Sequence, residues 1–372
     1  PGFSRAGARA RVERRPGDQD FIGVRVCALR VSVPRCLNGM GPAATFVHDG
    51  IGAGGKRVGT GETKNNIRLH RYATVVACAT FLLIIAGALV TSQDAGLSVP
   101  DWPLSFGRLM PPMVGNIFYE HGHRMVATFV GLLTTLLAIW LWRSEPRRWV
   151  RRLGLAALLA VVLQGALGGI TVLFFLPLPI SVSHACLAQL FFCLTVSLAL
   201  FTSPKWEQEA PPIAGSLHPP LPYLCVATSV AIFLQLVLGA AFRHSSRPDA
   251  SGFGVGIMPH LVGAAVVAIG VGWTAGTVMR RHAGQLDLLH PAMVLGGLLV
   301  FQLVLGAGAY FTKMDTREAP QPMLSMVVLS VAHIAFGALT LASSLVLTLR
   351  CYRRWVPARA DRLAAMPQKV TP

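Results

Sequence analysis

The chain has 372 residues, of which 53% are hydrophobic and only 13% charged, about half the charged share of roughly 25% typical of a soluble domain. Its net charge of +17 raises nucleic acid as a partner. The Lys and Arg residues, however, fall in the N-terminal segment, in the turns between apolar runs and in the C-terminal tail, where basic residues orient membrane spans, so no nucleic-acid partner is expected.

Residues 1–66 are rich in Gly and Arg and show little periodicity. Met40 offers a natural start, with the residues before it an upstream extension; otherwise the segment is a basic disordered arm. It lacks the apolar core of about 7–15 residues that marks a secretory signal. Tyr72 to Gln93 then carries no charge, and neither does Met125 to Trp142, in a helix expected to begin near Tyr119. Between Arg152 and Lys205 there is no Asp, Glu, Lys or Arg at all, which is enough for two spans of about 20 residues each. Pro177 and Pro179 divide it into 153–176 and 180–203. Further spans are expected at 221–242, 256–279, 289–312 and 324–349, eight in all.

The connections set the orientation. Lys64, Arg68 and Arg71 precede the first span, and Arg143, Arg147, Arg148, Arg151 and Arg152 follow the second. Arg280 and Arg281 follow the sixth, and Arg350, Arg353, Arg354, Arg359 and Arg362 the eighth, while the alternate connections are poorer in basic residues. The excess of Lys and Arg on one side places both termini in the cytoplasm. Of the seven cysteines, Cys78, Cys186, Cys193 and Cys225 lie in apolar runs and no CxxC pair occurs, so no structural disulfide is expected.

The chain repeats internally. Val162-Leu-Gln164-Gly-Ala-Leu-Gly168 in the third span resembles Val300-Phe-Gln302-Leu-Val-Leu-Gly306 in the seventh, and Ala86-Gly-Ala-Leu in the first resembles Leu238-Gly-Ala-Ala in the fifth. The expected fold is therefore an all-α integral membrane protein of eight transmembrane helices, built as two tandem four-helix bundles related by a pseudo-twofold axis along the membrane normal. The bundles occupy 67–204 and 221–350, joined by a cytoplasmic linker at 205–220 and followed by a cytoplasmic tail at 351–372.

His123, His184, His260 and His333 lie on the second, fourth, sixth and eighth spans. Ionisable side chains inside a bilayer are costly and mark functional sites. All four sit toward the outer ends of spans that start on the outer face, and the repeat sorts them into two pairs. Facing helices of a bundle build cofactor sites, and two axial imidazoles suit a haem iron. Zinc favours tetrahedral sets of His, Cys or carboxylate and fits this pattern less well. Glu120 stands three residues before His123, on the same helix face. It reads either as an interfacial carboxylate favoured by the helix N-terminus or as an acid/base or positioning group. The matching segment of the second half, Met258-Pro-His260, has no carboxylate. That asymmetry points to one reactive haem and one electron carrier.

His121 falls on a different face from His123, and His70, His244, His282 and His290, at span ends, are expected to be solvated. The external loop from Thr91 to Leu104 is turn-rich and reads as a lid over Glu120 and His123. Arg108, Arg124, Arg243, Lys313 and Arg317 are candidates to pair with haem propionates, and the sequence does not choose among them.

Two motifs, Ala95-Gly-Leu-Ser-Val-Pro-Asp-Trp-Pro-Leu and Glu120-His-Gly-His-Arg-Met, together with the spacing of His184, His260 and His333, resemble the haem A synthase family over about residues 68 to 350. The resemblance implies oxidation of the C8 methyl of haem O to a formyl group, with molecular oxygen as co-substrate and electrons from a donor the sequence does not identify. It implies that His123 and His184 belong to the haem O pocket, that His260 and His333 ligate a haem b, and that Glu120 is catalytic. Haem O synthase, a second copy of the chain and membrane lipid are the further partners expected. Some members carry a cysteine pair in the first external loop; this chain has no cysteine between 79 and 185, which casts doubt on electron relay through such a pair. The competing readings are a dihaem b-type cytochrome without chemistry on the macrocycle, and a transporter with a parallel repeat. Glu120 on one pair only argues against the first, and the lack of paired mid-membrane Gly/Pro breaks against the second.

Overall fold

The structure is a computed structural model that describes residues 60–208, 211–214, 219–245, 256–316 and 318–356. The segment before residue 60, Met40 included, lies outside the described residues, as does Arg317. Among the described residues eight long helices are each apolar and long enough to cross a membrane. They are α1 (Thr60–Ser92), α2 (Asn116–Ser144), α3 (Arg148–Leu173), α4 (Leu178–Phe201), α6 (Leu221–Ser245), α7 (Met258–Arg281), α8 (Leu286–Asp315) and α9 (Leu324–Arg354). The short α5 (Pro204–Glu207) lies between α4 and α6.

Each half of the chain closes into a ring. In the first, α1 packs on α2, α2 on α3, α3 on α4 and α4 back on α1; in the second, α6, α7, α8 and α9 repeat the arrangement. The rings meet through α1 with α9, α4 with α6, and α4 with α9. Ile84, Phe192, Ala338 and Ala342 form the apolar seam there, and the Phe81 and Phe192 rings lie 5.7 Å apart. Lipid is as apolar as Leu, so close packing rather than hydrophobic burial brings membrane helices together. Gly154 of α3 illustrates this: a Cβ there would fall 2.8 Å from Cδ1 of Leu141 on α2. Thr80, Thr134 and Thr340 each donate to the carbonyl four residues back, whereas Ser229 bonds Ser344 and Thr348 across α6 and α9.

The tightest packing lies at one end of each ring. Leu137, Leu141, Val150 and Leu198 form the first core, with Val271, Val278, Leu288, Leu295 and Leu347 in the second. These residues come late in α2, α4, α7 and α9 and early in α3 and α8. The histidine-bearing segments are at the other end.

Helix ends depart from the sequence expectation for identifiable reasons. Pro179 does not delay α4; it sits in the first turn, where its missing N–H has no intrahelical partner to lose. Pro291 lies inside α8 and cannot donate to the carbonyl of Asp287. Arg350 takes that place, its Nη1 2.6 Å from the Asp287 oxygen. Arg354 Nη1 contacts both Asp287 carboxylate oxygens, at 2.6 and 2.7 Å, and its Nε donates to Pro211 O at 2.8 Å. Ile213 and Ala214 (β1) pair in parallel with Trp355 and Val356 (β2), so the linker between the halves is tied to the start of the tail. At the same end Arg147 bridges Glu145, at 2.6 Å, and Phe201 O, at 2.9 Å. Hydrogen bonding to Glu145 raises the Arg147 pKa further. Arg147 thereby pins the α2–α3 turn to the end of α4.

Candidate functional site

The four histidines lie within the first three turns of α2, α4, α7 and α9. Each is seated in the same way, against a glycine of the preceding long helix. A Cβ built at Gly87 would come within 3.1 Å of His123 Cε1, one at Gly168 within 3.2 Å of His184 Cε1, one at Gly239 within 2.9 Å of His260 Cε1, and one at Gly306 within 3.0 Å of His333 Cε1. Only a residue without a Cβ allows an imidazole edge to lie this close to a helix backbone. The hairpins α1–α2, α3–α4, α6–α7 and α8–α9 are thus four copies of one glycine–histidine seat.

A second contact accompanies three of the four. Four residues before the glycine, Gln164 donates to His184 O at 3.0 Å, Gln235 to His260 O at 2.8 Å and Gln302 to His333 O at 2.8 Å. Bonds of this kind between membrane helices contribute about 0.6 kcal/mol on average. Gln164 and Gln302 stand out in the sequence repeat; Gln235 and the seat itself were missed there. The spacing Gln-x-x-x-Gly, present three times within the apolar spans, was the signal.

His260 and His333 face each other across the second ring, their centroids 6.3 Å apart and their planes at 79°. That spacing leaves room for one metal ion between the two rings, so His260 and His333 are the residues that would hold a haem iron in the second ring. In the first ring His123 on α2 is seated against Gly87 of α1, and His184 on α4 against Gly168 of α3. His123, His184 and His333 each bury an Nδ1 without a hydrogen-bond partner, as His121 and His282 each bury an Nε2, so these orphan nitrogens leave capacity for a bound group without singling out the four histidines. Among the described residues no cluster of three or more His, Cys, Asp or Glu side chains forms a metal site, and the described cysteines are all free.

Glu120 is buried at the head of α2. One carboxylate oxygen accepts the Val99 N–H at 2.9 Å and the other accepts Arg124 Nη2 at 2.7 Å. Arg124 in turn donates to Asp101 O at 2.7 Å, Leu104 O at 3.0 Å and Val99 O at 3.3 Å. Glu120, one turn before His123, and Arg124, the residue after it, therefore clamp the backbone of the external loop over the first ring. Two side chains complete the attachment: the Trp102 indole covers Gly169 of α3, where a Cβ would lie 2.7 Å from it, and buried His121 shares a 2.8 Å hydrogen bond with Ser105 Oγ. Beyond them Asp101 accepts the Phe106 and Gly107 N–H groups at 2.7 Å each. The Gly107 bond foremost holds the Asp101 carboxyl below the usual carboxylate range.

Of the basic residues expected near propionates, Arg124 is committed to the loop and to Glu120. Arg108 is exposed on the loop hairpin, Arg243 donates to Ser92 Oγ at 3.1 Å, and Lys313 lies 5.6 Å from the Phe242 ring centroid. His70, expected to be solvated, instead bonds Ala199 O at 2.9 Å and ties α1 to α4.

A family model described as "Cytochrome oxidase assembly protein" matches residues 114–247. The chain is similar to a protein named "Heme A synthase" from Symbiobacterium thermophilum, 32% identical over 249 residues that cover 61% of this chain and 80% of that protein. It is 30% identical to one of the same name from Halalkalibacterium halodurans, over 50% of this chain and 63% of that protein. With another from Alkalihalophilus pseudofirmus it shares 34% identity over 36% of this chain and 43% of that protein. The last two matches span less than two thirds of those relatives.

Proposed function

This chain belongs to the haem A synthase family, and from that premise we propose that it converts haem O to haem A by oxidising the C8 methyl to a formyl group through hydroxylated intermediates. Molecular oxygen is the co-substrate and a separate donor supplies electrons. The chain works in a bacterial inner membrane with both termini in the cytoplasm. The observation that carries this reading is the asymmetry of the two histidine pairs. Glu120 stands one turn before His123, whereas Ile257 takes that place before His260.

In this reading the first ring binds haem O between His123 and His184. Glu120, held by the Val99 amide and Arg124, is the group that holds or moves a proton beside the substrate. The loop from Val99 to Ser105, pinned by Arg124 and Trp102, limits water access, which strengthens each charge interaction beneath it. His260 and His333 would hold a haem b, which supplies one-electron transfer when bound. The bundle ranges 67–204 and 221–350 are the substrate and electron-carrying halves, with the pseudo-twofold axis between them.

Co-expression with a haem O synthase, followed by pigment extraction and mass analysis, tests the reading. Haem A beside haem b is expected. Haem b with unmodified haem O would identify an electron carrier instead.

A further inference from the structure

Three of the four glycine–histidine seats carry a glutamine that bonds the histidine carbonyl; the fourth does not. The place in α1 that matches Gln164, Gln235 and Gln302, four residues before Gly87, is occupied by the buried Leu83. Among the described residues no side chain donates to the His123 carbonyl. The exception falls on one ligand of the pocket read above as the substrate pocket. Both histidines of the haem b pair are anchored.

We propose that Leu83 makes His123 the exchangeable ligand of the substrate haem, while Gln164 makes His184 the fixed one. A resident cofactor is best held by two anchored imidazoles; a substrate that must enter, react and leave needs one that yields. The buried Leu83 side chain cannot hydrogen-bond, so at His123 itself α1 holds α2 by packing alone, with the Gln93 contacts to Tyr119 and Asn116 at the helix ends, whereas Gln164 pins α4 to α3 at His184 itself. Gln164 and Leu83 are thus positioning residues that act through the histidines. The inference rests on the first ring being the haem O pocket.

The test measures transfer of haem O from the purified, haem b-loaded protein to apomyoglobin, together with the low-spin fraction of the first-ring haem. Leu83→Gln is expected to slow transfer about threefold or more, the change that one average interhelical bond gives, and to raise the low-spin fraction, with haem b unchanged. Gln164→Leu is expected to speed transfer by a similar factor. If Leu83→Gln takes up haem O and keeps haem b but releases haem O at the parental rate, the inference is wrong. If Leu83→Gln loses haem b through misfolding, Gln164→Leu decides alike: faster release supports the inference and an unchanged rate overturns it. Failure of the parent protein to bind haem O at all would overturn the pocket reading, and this inference with it.

Discussion

The histidines owe their placement to residues that carry no chemistry. Each imidazole edge rests about 3 Å from where a glycine Cβ would be, so the glycine is as specific as the histidine it seats. Gly→Ala normally favours a helix by about 1 kcal/mol; here the added methyl meets a ring. Overpacking costs about 1–3 kcal/mol, and roughly tenfold weaker haem b binding is expected for Gly306→Ala, read as the haem b to protein ratio after dilution. Gly87→Ala should leave that ratio unchanged, because His123 lies in the other ring. The four histidines were legible in the sequence because ionisable groups in apolar runs are rare. Their seats were not, because a glycine in a membrane helix is common and only its contact distance distinguishes it. Glu120 was legible as a neighbour of His123. Its engagement with Val99 and Arg124 was not, since the partner is a loop amide that no periodicity places.

The external loop behaves as an element in its own right. Its attachment runs through Arg124, whose guanidinium reaches three loop carbonyls and Glu120. Removing one partner of a buried pair costs about 3–5 kcal/mol. The Arg124 side chain is 16% exposed, which puts this pair near the lower end. Arg124→Ala should therefore free the loop, and hydrogen exchange should show the Val99 amide losing most of its protection while amides in the middle of α2 keep theirs. Equal protection in the variant would mean that Trp102 and Ser105 hold the loop unaided. The helices were legible because about 20 uncharged residues in succession leave few alternatives in a bilayer. Their ends were less so. α1 begins at Thr60 and α9 runs to Arg354, because a helix continues through polar residues once its apolar part is formed. The bond from Arg350 that takes the place of the one Pro291 cannot give is a contact 63 residues away along the chain, invisible to any local reading.

Across the whole molecule, two rings of like construction differ at a few positions. Their cores are packed at one end and their histidines face inward at the other, with the Ile84, Phe192, Ala338 and Ala342 seam between them. Likeness makes the second ring a template for reading the first, so the departures stand out: Glu120 where the second ring has Ile257, and Leu83 where the other three seats have glutamine. Both fall around His123. The division into a reactive half and an electron-carrying half therefore rests on substitutions at one corner of one ring. The most direct test is to compare Glu120→Gln with the parent protein, each co-expressed with haem O synthase, by extracted haem A and by haem b retained on the purified protein. Glutamine preserves an acceptor for the Val99 amide while removing the carboxylate. The expected result is full haem b with haem A lowered at least a hundredfold, the scale of a missing acid/base group. Haem A formed at the parental rate would contradict the account.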